Sequence, residues 1–233
     1  MFKKIFRYLI LVIGSIILLI SPIALDYKLF KNQQKDINSF QKNFIYKKSN
    51  NDGVIDYTSL RKPMAIIYIP KIKVTLPVFE GTSDEVISTG VGHLETSDKI
   101  GAGKGTHSVL TSHSGLSINQ LFTSLYKLKK NDVWYVKDKN NKIYEYKVRE
   151  INKVLPTDTS KLKRQEGKEL MTLLTCTPLF INTHRLLVMG ERVPLDTKPD
   201  FIPHYDFIAN NYLYIIVIVL AISLIVWFTR KKK

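Results

Sequence analysis

One cysteine, Cys176, is all that 233 residues supply. An exported domain with a single cysteine forms no internal disulfide, and metal sites built on several thiolates are excluded. Acid is also scarce: 20 Asp and Glu stand against 35 Lys and Arg, a formal net charge of +15. The basic residues are not interleaved with aromatics in a stripe, which argues against nucleic acid as a partner. The glycines of Gly101-Ala102-Gly103-Lys104-Gly105 make a flexible turn, but no Gly-Lys-Ser/Thr follows, so a nucleotide phosphate loop is excluded. No internal repeat or low-complexity tract is present. A lone thiol outside the cell is open to oxidation, so a functional reason for it is worth seeking.

Two long apolar runs stand at the ends. Residues 8–25 contain no charge and follow Lys3, Lys4 and Arg7; residues 212–228 precede Arg230, Lys231, Lys232 and Lys233. Each is close to the length needed to cross a hydrocarbon core of roughly 30 Å as a helix. Positive flanks favour the cytoplasmic side, so both termini are expected inside the cell and the intervening segment outside. The first run also has the form of a signal peptide, yet Ala24-Leu25-Asp26 is a poor small-x-small cleavage site, and an uncleaved anchor is expected. Seven of the 35 basic residues flank these runs, leaving 28 basic and 20 acidic residues outside, a net of +8. That excess suits an anionic lipid or wall surface, although it is equally an ordinary solvated face.

The expected organisation is a basic tail and anchor (1–25), a helical segment and loop (26–62), a catalytic β-domain (63–196), a linker (197–211), a second anchor (212–229) and a basic tail (230–233). In the helical segment Phe30, Ile37, Phe40 and Phe44 recur at helix-like spacing. Short β-rich runs follow at 65–70, 74–79, 106–112, 133–136, 143–155, 170–175 and 185–193. In the longest, Tyr144, Tyr146 and Val148 share one face by period two. A short helix is predicted from Ser83 to Thr89, with Asp84 and Glu85 in its first turn, and another over 119–127. Many short strands separated by turns predict a mostly β protein with a closed or nearly closed barrel.

Cysteine catalysis requires a thiolate, a basic or cationic partner and a donor for the developing oxyanion. Cys176 follows the apolar strand 170–175, His113 follows the strand ending in Val109-Leu110-Thr111-Ser112, and Arg185 opens the strand 185–193. Residues at strand ends have rigid support and open space, so these three can converge on one rim of a barrel. Composition alone leaves other readings open. A cysteine after an apolar strand is usually a small core residue, and five histidines permit several pairings. His93, His107 and His113 lack the regular spacing of a metal site, so neither metal nor cofactor is expected.

Thr172-Leu173-Leu174-Thr175-Cys176, followed by Thr177-Pro178, Asn182 and Arg185, resembles the Thr-Leu-x-Thr-Cys…Arg signature of the sortases. The segment from Thr106 to His113 is similar to the strand and loop that carry that family's histidine. Ile69-Pro70-Lys71-Ile72, Leu76-Pro77-Val78, Gly90-Val91-Gly92-His93-Leu94 and Leu121-Phe122 also fit, so the resemblance covers about residues 65–193. It implies an eight-stranded sortase barrel and a transpeptidase that cleaves a Leu-Pro-x-Thr-Gly-like sorting signal after Thr. Carried over by position, Cys176 is the nucleophile, His113 the acid and base, and Arg185 the stabilising cation. Thr175, Thr177 and His184 adjoin these residues and are expected to line the substrate site. Anchors at both ends look most like class C, the pilin polymerases, with a pilin lysine amine as acceptor. A sortase using a cell-wall precursor, a cysteine hydrolase and a silent binding module are the alternatives. Three features depart from the pattern. Residues 49–62 hold no Asp-Pro lid motif, Ser114-Gly115 stands where many relatives have Arg-Gly, and Pro178-Leu179-Phe180 replaces Pro-Tyr-Gly.

Overall fold

The computed structural model describes residues 24–25, 27–40, 62–115, 121–201 and 216. They fall into two units: Asn32–His204, and Met1–Lys31 with Tyr205–Lys233. Of the second, residues 24–25, 27–31 and 216 are described, and all are helical. Among the described residues no helix is long and apolar enough to cross a membrane. Nearly all of both apolar end runs lies outside the described residues, as do the loop at 49–61 and Phe44.

The larger unit is a closed barrel of eight strands: β1 (Ala65–Ile69), β2 (Val74–Glu80), β3 (Val91–His93), β4 (Thr106–Thr111), β5 (Val133–Asp138), β6 (Ile143–Val154), β7 (Glu169–Thr177) and β8 (His184–Val193). They close in the order β1-β2-β3-β4-β7-β8-β6-β5. β2–β3 and β4–β7 pair in parallel; every other neighbouring pair is antiparallel. This agrees with the predicted mostly β barrel.

Period-two alternation builds the interior. Tyr144, Tyr146 and Val148 of β6 point inward and are buried with Met171 and Leu173 of β7 and Val188 of β8. Trp134 is fully buried, stacks on Tyr146 with ring centroids 6.0 Å apart, and directs its Nε1 hydrogen at the Met171 sulfur at 3.4 Å. Gly190 of β8 faces that indole at such close range that a Cβ would enter the ring.

Helix α1 contributes residues 32–40 to this unit. Ile37 and Phe40 pack on Ile66, Tyr135 and Phe201, so the helix-like spacing in the sequence does mark a face that docks on the barrel. Gln33, also buried, donates from Nε2 to the carbonyl of Thr89 at 2.9 Å. Thr89 ends helix α2 (Asp84–Thr89), the short helix predicted between β2 and β3.

Three local expectations are corrected. Residues 121–127 do not form an α-helix: a turn leads into a single 3-10 turn at Leu125–Lys127, and Leu121 has φ of +27°. Its apolar spacing reflects burial, because Leu121, Phe122, Leu125 and Leu128 all enter the core. The three-residue strand β3 is too short to leave a period in the sequence, and is formed because it bridges β2 and β4. β7 runs on to Thr177, so Cys176 lies inside the strand rather than after it.

Replacing Gly190 with Ala is expected to cost about 1–3 kcal/mol through overpacking against Trp134. Thermal unfolding should show the midpoint falling by several degrees, and an unchanged midpoint would mean that the indole can move aside.

Candidate active site

Strand register determines which side chains can meet. In β7 the inward positions are Met171 and Leu173, so Thr172, Leu174 and Cys176 face out of the barrel. β8 pairs antiparallel with β7, and Cys176 stands directly opposite Arg185. Opposed residues share a face, with Cβ atoms about 4.5–5.5 Å apart. On the other side β4 pairs in parallel with β7, ending at Thr111 opposite Leu174. β4 ends there, and His113 follows two residues later with its amide directed at Ile87 O rather than at β7.

The chain beyond β4 is held alongside β7 by specific bonds. The amide of Ser112 donates to Leu174 O at 3.3 Å. The buried Thr175 hydroxyl donates to Ser112 O at 2.8 Å, and the Ser114 hydroxyl donates to Cys176 O at 2.6 Å. Ser112 in turn donates its hydroxyl to Gly90 O at 2.6 Å, which binds this segment to the end of α2. Gly90 itself is packed so tightly on β2 that a Cβ would stand 2.7 Å from Pro77 O. The chain beyond β4 is thereby locked to β7 and to the end of α2.

Cys176 is half-buried, as are His113 and Arg185. The His113 Nε2 lies 3.1 Å from Asp84 Oδ1. One Arg185 nitrogen, Nη1, donates to the carbonyls of Asn182 at 3.1 Å and His184 at 3.2 Å. These bonds fix the guanidinium against its own loop and leave the rest of its five-hydrogen fork for a ligand. Thr177 is opposite His184, and both are half-buried beside the Cys176–Arg185 pair. The His184 Nδ1 is 3.0 Å from Thr183 Oγ1. Thr175 does not line the groove: it is 2% exposed and its hydroxyl is committed to Ser112. Between β7 and β8, Leu179, Phe180 and Ile181 are exposed.

The other histidines occupy structural positions. His93 is buried between Glu80 Oε1 at 2.8 Å and Asp98 O at 3.0 Å. His107, at the far end of β4, is buried with Nδ1 at 3.0 Å from Lys163 O and Nε2 at 2.8 Å from Thr172 Oγ1. A carbonyl only accepts, so Nδ1 carries the hydrogen and Nε2 accepts from the threonine. Burial holds the His107 pKa below its ordinary value, against the opposing pull of the Lys163 carbonyl and Asp98.

Comparison with known proteins agrees with this architecture. A sequence profile of the sortase domain matches residues 67–193. The chain belongs to the sortase family. Sortases are cysteine transpeptidases, and this protein is an enzyme of that kind. It is 28% identical to Sortase A of Bacillus anthracis over 204 residues, covering 82% of this chain and 94% of that protein. Its structural neighbours include class C sortases. The sortase C-1 of Actinomyces oris is 38% identical, with a TM-score of 0.55 over 69% of this chain and 98% of that one. The pilus-related sortase C of Group B Streptococcus is also 38% identical, with a TM-score of 0.56 over 69% of this sortase and 91% of that one.

Asp84 escaped the sequence reading as a site residue, because acids in the first turn of a helix are already accounted for by the helix dipole. Residue spacing also carries no sign of the bonds that the Ser114 and Thr175 hydroxyls make across the parallel pair, or of those from the Ser112 hydroxyl to α2.

Thr175→Val should leave Ser112 O without its buried donor and cost about 1–3 kcal/mol. Its melting temperature should fall together with activity, since the same bond holds the His113 segment beside Cys176. His107 yields a pH dependence. Its folded-state pKa is depressed, so the neutral ring contributes stability above the unfolded value near 6.5, and this is lost as pH falls. Melting temperature should therefore drop more steeply from pH 7 to pH 5 in the wild type than in His107→Gln; parallel curves would assign the acid sensitivity elsewhere.

Proposed function

We propose that this sortase is a class C-like transpeptidase that joins pilin subunits, with Cys176, His113 and Arg185 as its catalytic groups. The observation that supports the reading is Cys176 opposite Arg185 on β7 and β8, with the segment that carries His113 bonded alongside β7 through Ser112 and Ser114. The likeness to sortase C structures, one of them pilus-related, supports the class.

The Cys176 thiolate attacks the carbonyl carbon of Thr in a Leu-Pro-x-Thr-Gly-like signal. Negative charge moves to the carbonyl oxygen, where the fixed Arg185 guanidinium stabilises it more than in the ground state. The Thr–Gly C–N bond then breaks, and His113 as imidazolium gives its proton to the departing amine. A thioester links Thr to Cys176. A lysine amine of another pilin attacks it, neutral His113 takes the amine proton, and the thiolate leaves as the new amide forms. Thr177 and His184 border this groove and contact the signal.

In this reading the uncharged runs at 8–25 and 212–228 hold the enzyme in the cell membrane. The barrel lies on the outer face and both basic ends are cytoplasmic. The absence of an Asp-Pro pair from residues 49–62 leaves lid control out of the proposal.

The test mixes the enzyme with a sorting-signal peptide and a lysine-bearing acceptor peptide. A new amide between the two is expected. Cys176→Ala should yield no thioacyl adduct, and His113→Ala should lose about 10²–10⁴-fold in rate. Arg185→Lys should lose about 10²-fold, because a point charge does not replace the planar fork. Release of acid to water alone would mark a hydrolase. Transfer to a wall-precursor amine in preference to lysine would mark a wall-anchoring sortase. Equal absence of adduct in wild type and Cys176→Ala would leave only a binding module.

A further inference from the structure

The geometry points to Asp84 as a positioning residue for His113, fixing Nε2 so that Nδ1 is the nitrogen that exchanges protons with substrate. The inference rests on the catalytic reading of His113 given above.

Asp84 opens helix α2, and its Oδ1 lies 3.1 Å from His113 Nε2. A carboxylate oxygen only accepts, so Nε2 bears the hydrogen of this bond. The partner is delivered by a braced element rather than a wandering side chain. Ile87 sits one turn after Asp84 on the same helix face. Its carbonyl accepts from the Ser112 hydroxyl at 3.2 Å and faces the His113 amide at 3.5 Å. The other end of α2 is fastened by Ser112 to Gly90 O and by Gln33 to Thr89 O. The strand end that carries the imidazole and the helix that carries the carboxylate thus share a hydroxyl.

Exposure separates this role from a structural one. The Asp84 side chain is 93% exposed and that of His113 is 30% exposed. An ion pair in that setting contributes little to folding, so its value lies in aiming the ring. With Nε2 engaged, proton donation to the leaving amine and abstraction from the incoming one fall to Nδ1. An imidazole released from Asp84 would spend part of its time rotated away, which lowers the rate of both proton transfers without weakening substrate binding.

The full-length enzyme is assayed for transpeptidation between the sorting-signal peptide and the lysine-bearing acceptor, with Asp84→Asn, Asp84→Ala and Asp84→Glu beside wild type. The Ala variant should lower kcat about three- to fivefold, with KM and melting temperature unchanged. Asn should retain part of the loss, and Glu should restore at least half of the wild-type rate. An Ala variant within 1.5-fold of wild type, a loss expressed in KM or melting temperature, or a Glu variant no better than Ala would each overturn the assignment. His113→Ala is run alongside: if it keeps full activity, the catalytic reading itself fails, whereas a dead His113→Ala with an unimpaired Asp84→Ala sinks only the role of Asp84.

Discussion

The parallel pairing of β4 with β7 is the constraint from which the rest of the site follows. Parallel strands cannot be joined by a tight turn, so the chain leaves β4, builds β5 and β6, and returns before β7 is laid down. The segment that carries His113 and the strand that carries Cys176 are therefore remote in sequence and adjacent in space. In-register pairing from Thr106–Glu169 to Thr111–Leu174 fixes which face of β7 each side chain takes. A slip of one residue would turn Cys176 inward, into the layer of Met171 and Leu173, where a thiol is only a small apolar group. Two hydroxyls guard against that slip. Thr175 and Ser114 both bond across the pair just where the regular ladder ends.

The antiparallel partner, β8, contributes a different restraint. Arg185 is placed opposite Cys176 by the ladder, while its Nη1 is tied to carbonyls of the preceding loop. A flexible cation would lose rotamer freedom each time it met substrate; one already bonded to backbone has lost it on folding. The result is a guanidinium oriented in advance on the strand face that carries the Cys176 sulfur.

Much of this fold was readable from the residues. The alternation of Tyr144, Tyr146 and Val148 and the apolar run before Cys176 identified β6 and β7, and Ile37 with Phe40 marked the docking face of α1. What failed did so for physical reasons. Leu121, Phe122, Leu125 and Leu128 have helical spacing because all four reach the core, yet the chain between them turns through a left-handed residue. β3 consists of Val91, Gly92 and His93 and exists only because β2 and β4 flank it. For the site, strand-end positions suggested Cys176, His113 and Arg185, but choosing among five histidines needed the family resemblance. Register is a property of pairs of strands, and no single strand carries it. Asp84 was invisible for the same reason: its contact with His113 depends on where α2 is fastened, and that is settled by the side chains of Gln33 and Ser112.

The two ends of the outer face of β4 and β7 differ in cover among the described residues. Toward the start of the strands the outward side chains His107 and Thr172 are buried and bonded to each other, with Lys163 O closing over the ring. Arg164, the next residue, reaches Asp98 with a bidentate pair, which fastens that covering segment to the loop before β4. Toward the other end no equivalent cover exists among the described residues: Leu174, Cys176 and His113 are half-buried, and Leu179, Phe180 and Ile181 stand exposed beyond them. Among the described residues the cover stops short of Cys176, and the thiol lies at that boundary.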